Sequence, residues 1–222
     1  CYKMKAGVLY AREDIRYEEV ETPVPKAGEV LVKVKYSGIC GSDVPRVNGD
    51  GAHFYPIILG HEFSGVVEEV GEGVTKVKKG QRVAGAPLVP CMKCEDCMKG
   101  DYALCKHYSF IGTRQPGSFA EYICVPEQNA VPFDDSVSFE QGALFEPAVA
   151  LHGLECLPYE GGKTVAILGG GTIGLLVMQW ANIYGAAKTV VFDIDDDRIK
   201  LAKEMGAYDG VNTLEEGFME KA

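Results

Sequence analysis

Residues 165–174 read VAILGGGTIG, a short apolar run that leads into the pattern G-x-G-x-x-G. The run predicts a buried β-strand, and the apolar periodicity of residues 172–184 predicts a helix directly after it. In this context Gly169 serves the tight turn, Gly171 the close approach of a pyrophosphate, and Gly174 the packing of helix on strand. The stretch therefore predicts the first turn of a doubly wound dinucleotide-binding sheet.

The chain continues in the same alternating pattern. A second strand is predicted over residues 189–192, a second helix over 195–205 with Asp195 as its cap, and a third strand from Tyr208. This βαβαβ order is the first half of a dinucleotide-binding sheet, and a complete sheet has six strands. We therefore expect the second half to be missing and the chain to be a fragment.

Asp193 ends the second predicted strand, nineteen residues after Gly174. An acidic side chain at this place can accept both ribose hydroxyls and would repel a 2′-phosphate, which favours NAD over NADP. The alternative is a glycine-rich turn followed by a surface aspartate. The predicted cofactor-binding residues are Gly169, Gly171, Thr172, Ile173, Gly174, Asp193 and Arg198.

The first 135 residues show a different sequence pattern. Short β-rich runs at residues 4–10, 30–36, 63–70 and 119–125 are separated by breaks rich in proline or glycine. This pattern predicts a compact β-barrel-like domain. Ser138 and Gln141 form a capping box, so a connecting helix is predicted to follow. We expect one domain over residues 1–155 and the dinucleotide-binding domain over 156–222.

Four cysteines, Cys91, Cys94, Cys97 and Cys105, have the spacing C-x2-C-x2-C-x7-C. Four thiolates on one loop can converge tetrahedrally on one Zn²⁺, and four sulfur ligands would close the site, so this zinc would be structural. An iron–sulfur cluster is the rival, but its common bacterial spacing has three residues before the last cysteine and a proline after it. Scattered reduced thiols are the other alternative.

A second metal site is predicted from residues far apart in the sequence. Cys40 follows a predicted strand, His61 precedes another, and Glu146 lies in an apolar stretch where an ionised carboxylate is costly unless it is paired or metal-bound. A thiolate, an imidazole and a carboxylate would leave zinc an open fourth position, as in catalytic sites. Taken singly, Cys40 and His61 also fit ordinary core positions.

The composition and charge of the chain exclude some classes of binding partner. The formal net charge is −10 and the isoelectric point is near 4.9, which opposes binding to nucleic acid or to an anionic membrane surface. No stretch approaches the eighteen consecutive apolar residues of a membrane span. We therefore expect a soluble, cytoplasmic protein that binds neither nucleic acid nor a membrane surface.

Along the chain, the mixed-ligand metal residues begin with Cys40 and His61, the four cysteines come next, and the glycine-rich turn follows Glu146. With this arrangement, the chain resembles the medium-chain zinc-dependent alcohol dehydrogenases from about Met4 to about Asn212. Glu146 stands where the classical alcohol dehydrogenases have a cysteine, and in this the chain resembles the polyol branch of the family, which includes sorbitol dehydrogenase. The stretches CGSDVPR at 40–46, GAHFYPI at 51–57, GHEFSG at 60–65 and FIGTR at 110–114 are similar to the galactitol-1-phosphate 5-dehydrogenases of that branch. The resemblance implies a GroES-like β-barrel catalytic domain followed by a truncated Rossmann domain.

The same resemblance implies that the catalytic zinc ligands are Cys40, His61 and Glu146. Glu62 would be an adjacent carboxylate that enters or leaves the coordination sphere. Ser42 matches the hydroxyl that relays the substrate proton, and Asp43 matches the acid that orients His61. Pro45 stands where sorbitol-type enzymes have a histidine, so the chain departs from the family pattern in the outer part of the proton relay.

The activity implied is hydride transfer from a secondary alcohol of a polyol or polyol phosphate to NAD⁺. Arg46, His53 and Arg114 are candidates for contacts to a substrate phosphate, and each also fits a solvated or structural role. Sorbitol, butanediol and threonine dehydrogenase activities stay open, as does a catalytically incomplete zinc-binding fragment. The resemblance also implies a dimer or tetramer at full length.

Overall fold

The computed structural model describes residues 2–218. These residues form two compact units, and the boundary lies between Glu146 and Pro147. The predicted domain boundary lies later, between residues 155 and 156. The helix that lies between the two positions, Ala150–Glu155, contacts a long helix of the second unit, Thr172–Ile183. The domain limits 1–155 and 156–222 stay a prediction.

The first unit consists of antiparallel sheets. Its strands are β1 (Lys3–Ala11), β2 (Asp14–Glu21), β3 (Glu29–Gly38), β4 (Ile57–Ile58), β5 (Glu62–Val70), β6 (Arg82–Gly85), β7 (Leu88–Val89), β8 (Ser109–Phe110), β9 (Tyr122–Pro126) and β10 (Ala130–Pro132). The sheet orders are β10-β6-β5-β3-β9, β2-β1-β4 and β7-β8. Its helices are α1 (Asp43–Asn48), α2 (Glu95–Lys99) and α3 (Phe139–Ala143), with single 3₁₀ turns at Tyr102–Leu104 and Glu127–Asn129.

The core of this unit explains why β3 and β5 are central. Alternating β-branched residues suit a pleated, half-buried surface, and Val30 and Val32 of β3 are fully buried. The buried core residues are Val30, Val32, Phe63, Val67, Val77, Val83, Ile111, Ile123, Val125 and Ala130. Hydrogen bonding pairs β3 with β5 on one side and with β9 on the other. The end of β3 and the start of β5 are therefore held firmly beside each other.

The predicted strand at residues 119–125 begins three residues later, at Tyr122. The backbone N–H groups of Gly117 and Phe119 donate to the carbonyl oxygens of Ile58 and Leu59, at 2.7 and 2.9 Å. These residues are therefore bonded to the segment before His61 and do not extend the ladder with β3.

The capping box at the start of α3 is present, with Ser138 and Gln141 bonded reciprocally. Arg82 lies over the rings of Phe139 and Phe133, at 4.2 and 4.9 Å from their centroids. Phe133 in turn meets Phe145 edge to face, with ring centroids 5.6 Å apart. These contacts hold α3, and the chain that leads to Glu146, against the sheet.

The second unit contains the predicted βαβαβ order. Its elements are the 3₁₀ turn Pro147–Val149, α4 (Ala150–Glu155), β11 (Thr164–Leu168), α5 (Thr172–Ile183), β12 (Lys188–Asp193), α6 (Asp196–Glu204) and β13 (Asp209–Asn212). The three strands pair in parallel in the order β11-β12-β13. The side chain of Asp195 caps α6, as predicted, by accepting the N–H groups of Asp197 and Arg198. The predicted alternation is confirmed.

The helices of both units are short. The longest helix of the described residues, α5, has 12 residues, and α6 has 9. Within residues 2–218, no helix combines the length and the apolar character that crossing a membrane requires.

Candidate metal and cofactor sites

The four predicted cysteines surround α2. Cys94 is the N-cap residue of α2, Cys97 lies within it, and Cys105 follows the 3₁₀ turn at Tyr102–Leu104. Their sulfur atoms and that of Cys91 all lie within 4.8 Å of one another. The Cys91–Cys97 and Cys94–Cys105 Sγ distances are 4.0 and 3.9 Å. A tetrahedron with zinc–sulfur bonds of about 2.3 Å has edges of about 3.8 Å, so the spacing fits one zinc ion.

The ionisation of these four thiols also depends on a cation. Hydrogen bonding from the backbone N–H of Lys93 lowers the pKa of Cys91 to about 6, whereas burial raises the pKa of Cys97 to about 12. The backbone N–H of Cys91 donates to Cys105 Sγ at 3.3 Å. Four neighbouring thiolates repel one another, so their full ionisation requires a metal ion that binds the deprotonated form.

The second cluster consists of Cys40, His61 and Glu62. Each offers one ligand atom, and these atoms lie within 4.8 Å of one another. The register explains the meeting, because Gly38 at the end of β3 pairs with Glu62 at the start of β5. His61 is 4% exposed and Glu62 is 8% exposed. A thiol, an imidazole and a carboxylate that converge in a buried place are a donor set suited to zinc.

Two neighbours of this cluster were missed by the sequence reasoning. A Cβ atom at Gly38 would overlap Glu62 Oε2, so a larger residue there would displace that carboxylate from its present position. The ring of Phe110 packs edge-on against His61, with centroids 5.6 Å apart. Neither contact has a local sequence signal, because both depend on the pairing of strands distant in the chain.

Ser42 and Asp43 lie beside the cluster, and the roles that the resemblance implies for them stay a prediction. Ser42 Oγ donates to Cys40 Sγ at 3.2 Å, and Asp43 Oδ2 accepts the backbone N–H of Cys40 at 3.0 Å. Asp43 Oδ1 lies 3.8 Å from His61 Nδ1. Both of these atoms are buried and lack a hydrogen-bond partner in the described part of the chain. Burial raises the pKa of Asp43 and lowers that of His61.

Glu146 stands a few residues after α3 and does not belong to the converging group, in which Glu62 supplies the carboxylate. Burial raises the pKa of Glu146 to about 7, and the carboxylates of Glu62 and Asp43 act in the same direction. Three acidic groups therefore share one partly buried region, which favours a cation there. The assignment of Glu146 as a zinc ligand stays a prediction.

The three candidate phosphate contacts have different surroundings. The guanidinium of Arg46 donates to the carbonyl oxygen of Ser42, and its side chain is only 20% exposed. His53 is exposed. Arg114 is also exposed and lies over the ring of Tyr108, 4.3 Å from its centroid. Contact of these residues with a substrate stays a prediction.

In the second unit, the glycine-rich turn joins β11 to α5. Gly169 has a φ of 101°, a left-handed conformation that favours glycine, and Gly171 is the N-cap residue of α5. A Cβ atom at Gly174 would overlap the carbonyl oxygen of Gly169. Thr172 and Ile173 form the first turn of α5, whose N–H groups have no partner within a helix and suit an anion.

Asp193, at the end of β12, supports this turn. Its Oδ2 accepts the N–H of Gly170 at 2.6 Å, and its Oδ1 accepts those of Ile194 and Asp195 at 2.8 and 3.1 Å. The Gly170 bond is the main reason that the pKa of Asp193 is lowered, so the carboxylate is ionised. Arg198 Nη1 lies 3.7 Å from Oδ2. The role of Gly170 was not predicted, because the G-x-G-x-x-G pattern specifies only the other three glycines.

Comparison with known proteins identifies the family of the chain. Residues 26–135 match the family model of the alcohol dehydrogenase GroES-like domain, and residues 172–222 match that of the zinc-binding dehydrogenases. Galactitol 1-phosphate 5-dehydrogenase of Escherichia coli K12 is 44% identical over 199 residues, which cover 89% of this chain and 58% of that protein. Sorbitol dehydrogenase of Bacillus subtilis 168 is 37% identical over an aligned length of 224 positions, gaps included, and the alignment covers 98% of this chain and 64% of that protein.

The crystal structure of galactitol-1-phosphate dehydrogenase from Escherichia coli superposes with a TM-score of 0.91 at 43% identity, covering 95% of this chain and 61% of that one. This chain therefore spans less than two thirds of the length of these relatives. The matches confirm the predicted fold class, a GroES-like domain followed by part of a Rossmann domain. The chain belongs to the medium-chain zinc-dependent alcohol and polyol dehydrogenases.

Proposed function

We propose that this chain, as part of a protein as long as its relatives (called the family-length protein below), oxidises a secondary alcohol of a polyol or polyol phosphate with NAD⁺. The products would be a ketose or ketose phosphate and NADH. The observation that carries the proposal is the convergence of the partly buried Cys40 with the buried His61 and Glu62. The names of the relatives, galactitol 1-phosphate 5-dehydrogenase and sorbitol dehydrogenase, support the polyol class.

Cys40 and His61 would hold zinc together with a carboxylate. Glu146 is the proposed third ligand, and Glu62, which reaches the other two in this structure, is the proposed exchanging carboxylate. When bound, zinc supplies a Lewis acid that lowers the pKa of an alcohol hydroxyl, and NAD⁺ supplies the hydride acceptor. Three protein ligands leave the fourth position for substrate.

Ser42 is the proposed acceptor of the substrate proton. Its hydroxyl lies 3.2 Å from Cys40 Sγ, at the edge of the ligand set, so it is within reach of a group held there. The hydride would carry both electrons to NAD⁺, and the proton would pass to the Ser42 hydroxyl, which releases its own proton to solvent, so that the oxidation to a ketone balances. Pro45 has no titratable side chain, so the proton does not pass through that position.

The second unit would hold the cofactor. The pyrophosphate would lie at the glycine turn and the N-terminus of α5, where the space beside Gly169 and Gly171 is open, while Gly174 lets α5 pack against the turn. The ionised carboxylate of Asp193 supports the choice of NAD, since it would repel a 2′-phosphate. Arg198 is proposed to border the ribose. The four-cysteine zinc would be structural.

We further propose that the protein is cytoplasmic and forms a dimer or tetramer at full length. The formal net charge of −10 argues against nucleic acid and anionic membranes as partners. The partner is then a small molecule, as the names of the relatives also suggest.

A substrate panel tests the activity. The family-length protein is assayed for NADH formation with galactitol 1-phosphate, galactitol, sorbitol, 2,3-butanediol and threonine. We expect the highest kcat/KM with the polyol phosphate and a much lower value with NADP⁺ than with NAD⁺. A highest value with threonine or butanediol would assign the site to those alternatives. Two bound zinc ions without any turnover would favour the catalytically incomplete protein.

A further inference from the structure

We infer that Arg46 is a positioning residue of the Cys40 cluster. It fixes the positions of Ser42 and of the buried carboxylate of Asp43. The cluster is defined here as Cys40, His61 and Glu62. The inference rests on the proposed function, because it takes this cluster to hold zinc. It assigns to Arg46 a task inside the fold, in place of contact with a substrate phosphate.

The direction of the Arg46 side chain is the first observation. Its Nη1 donates to the carbonyl oxygen of Ser42 and lies 4.0 Å from Asp43 Oδ1. The side chain is 20% exposed, and its Nε is buried without a hydrogen-bond partner in the part of the chain that the structure describes. A guanidinium available to a phosphate would present its paired N–H groups to solvent. This one is turned toward the protein.

The charge of Asp43 is the second observation. Its side chain is 3% exposed, and a buried carboxylate is costly unless a cation compensates it. The groups that face Asp43 Oδ1 are Arg46 Nη1 at 4.0 Å and His61 Nδ1 at 3.8 Å. A zinc-bound histidine is neutral, so Arg46 is the permanent positive charge of this pair.

Asp43 passes the effect on to the cluster. Its Oδ2 accepts the N–H of Cys40 at 3.0 Å, and its Oδ1 approaches the imidazole of His61. Asp43 therefore touches both the Cys40 and the His61 segments. Loss of such supporting partners weakens metal affinity by about 10–100-fold in other zinc sites.

The two roles of Arg46 predict different results. A substrate contact affects only reactions of the phosphorylated substrate, mainly through KM. A positioning residue affects zinc affinity when no substrate is present. It also lowers kcat for a polyol and its phosphate by the same factor.

The test measures zinc affinity of the 222-residue chain by chelator competition, without substrate. Arg46→Gln is expected to weaken zinc at the Cys40 cluster about 10–100-fold and to leave the four-cysteine site unchanged. Arg46→Lys, which keeps the charge, should restore part of the affinity. Arg12→Gln, in the exposed turn between β1 and β2, is the matched control and should change neither site.

A double-mutant cycle tests the route through Asp43. If Arg46 acts through that carboxylate, Arg46→Gln should cost little further affinity in an Asp43→Asn background. Additive losses would overturn this route. Equal losses at both zinc sites in Arg46→Gln would indicate general unfolding and overturn the positioning role.

The remaining outcomes separate the inference from the proposed function. A wild-type chain that binds zinc only at the four cysteines would overturn the proposed function itself. A wild-type chain with both sites filled, and unchanged affinity in Arg46→Gln, would overturn only the role of Arg46. A rise in KM confined to the phosphorylated substrate would return Arg46 to the substrate.

Discussion

Cys40→Ser is expected to lower kcat/KM for NADH formation by the family-length protein at least about a hundredfold, since a metal Lewis acid contributes several kcal/mol to such a reaction. A serine hydroxyl replaces the thiolate, and zinc binds it poorly at neutral pH. The four-cysteine zinc should remain, because Cys40 is not part of that group. Steady-state rates and zinc content measure the two effects.

Cys124→Ser is the matched control for this change. Cys124 lies in β9 and belongs to neither of the two clusters found among the described residues. It is partly buried, so its replacement reports the cost of a thiol-to-hydroxyl change within the sheet. Wild-type activity in Cys40→Ser, or an equal loss in Cys124→Ser, would contradict the role given to Cys40.

Cys94→Ser is expected to lower the free energy of unfolding of the chain by roughly 3 kcal/mol or more, because structural zinc contributes about 10–16 kcal/mol in zinc-finger peptides. The remaining thiols would repel one another or take up protons, and residues 91–105 would lose their cross-link. Urea unfolding gives the stability, and limited proteolysis reports whether this segment opens.

The exposed Cys156, on the C-terminal side of α4, gives the control for this second change. Cys156→Ser should keep wild-type stability and protease resistance. If Cys94→Ser lost its zinc but kept the wild-type free energy of unfolding, the four-cysteine zinc would not be structural.

The sequence is most informative where the interacting residues are close together in the chain. The four cysteines lie within one segment, so their spacing already restricts the metal and its geometry. The glycine turn is likewise local, and the strand predicted from the apolar run before it agrees with β11. Local patterns therefore predict the order of strands and helices in the second unit and the proximity of the four cysteines.

Contacts between strands that are distant in the chain are harder to predict from the sequence. The choice of Glu62 over Glu146 as the converging carboxylate follows from the pairing of Gly38 with Glu62, which no local pattern specifies. The inward direction of Arg46 depends on burial of Asp43 and on a side-chain rotamer. From sequence alone, a cationic residue beside an active-site motif could equally face the substrate.

The most direct test of the central claim, a closed sulfur site and a second mixed-ligand site in one chain, is the zinc content of the purified wild-type protein. We expect about two zinc ions per chain, falling to about one in Cys40→Ser and in Cys94→Ser. A wild-type chain with about one zinc ion, unchanged by Cys40→Ser, would contradict the account.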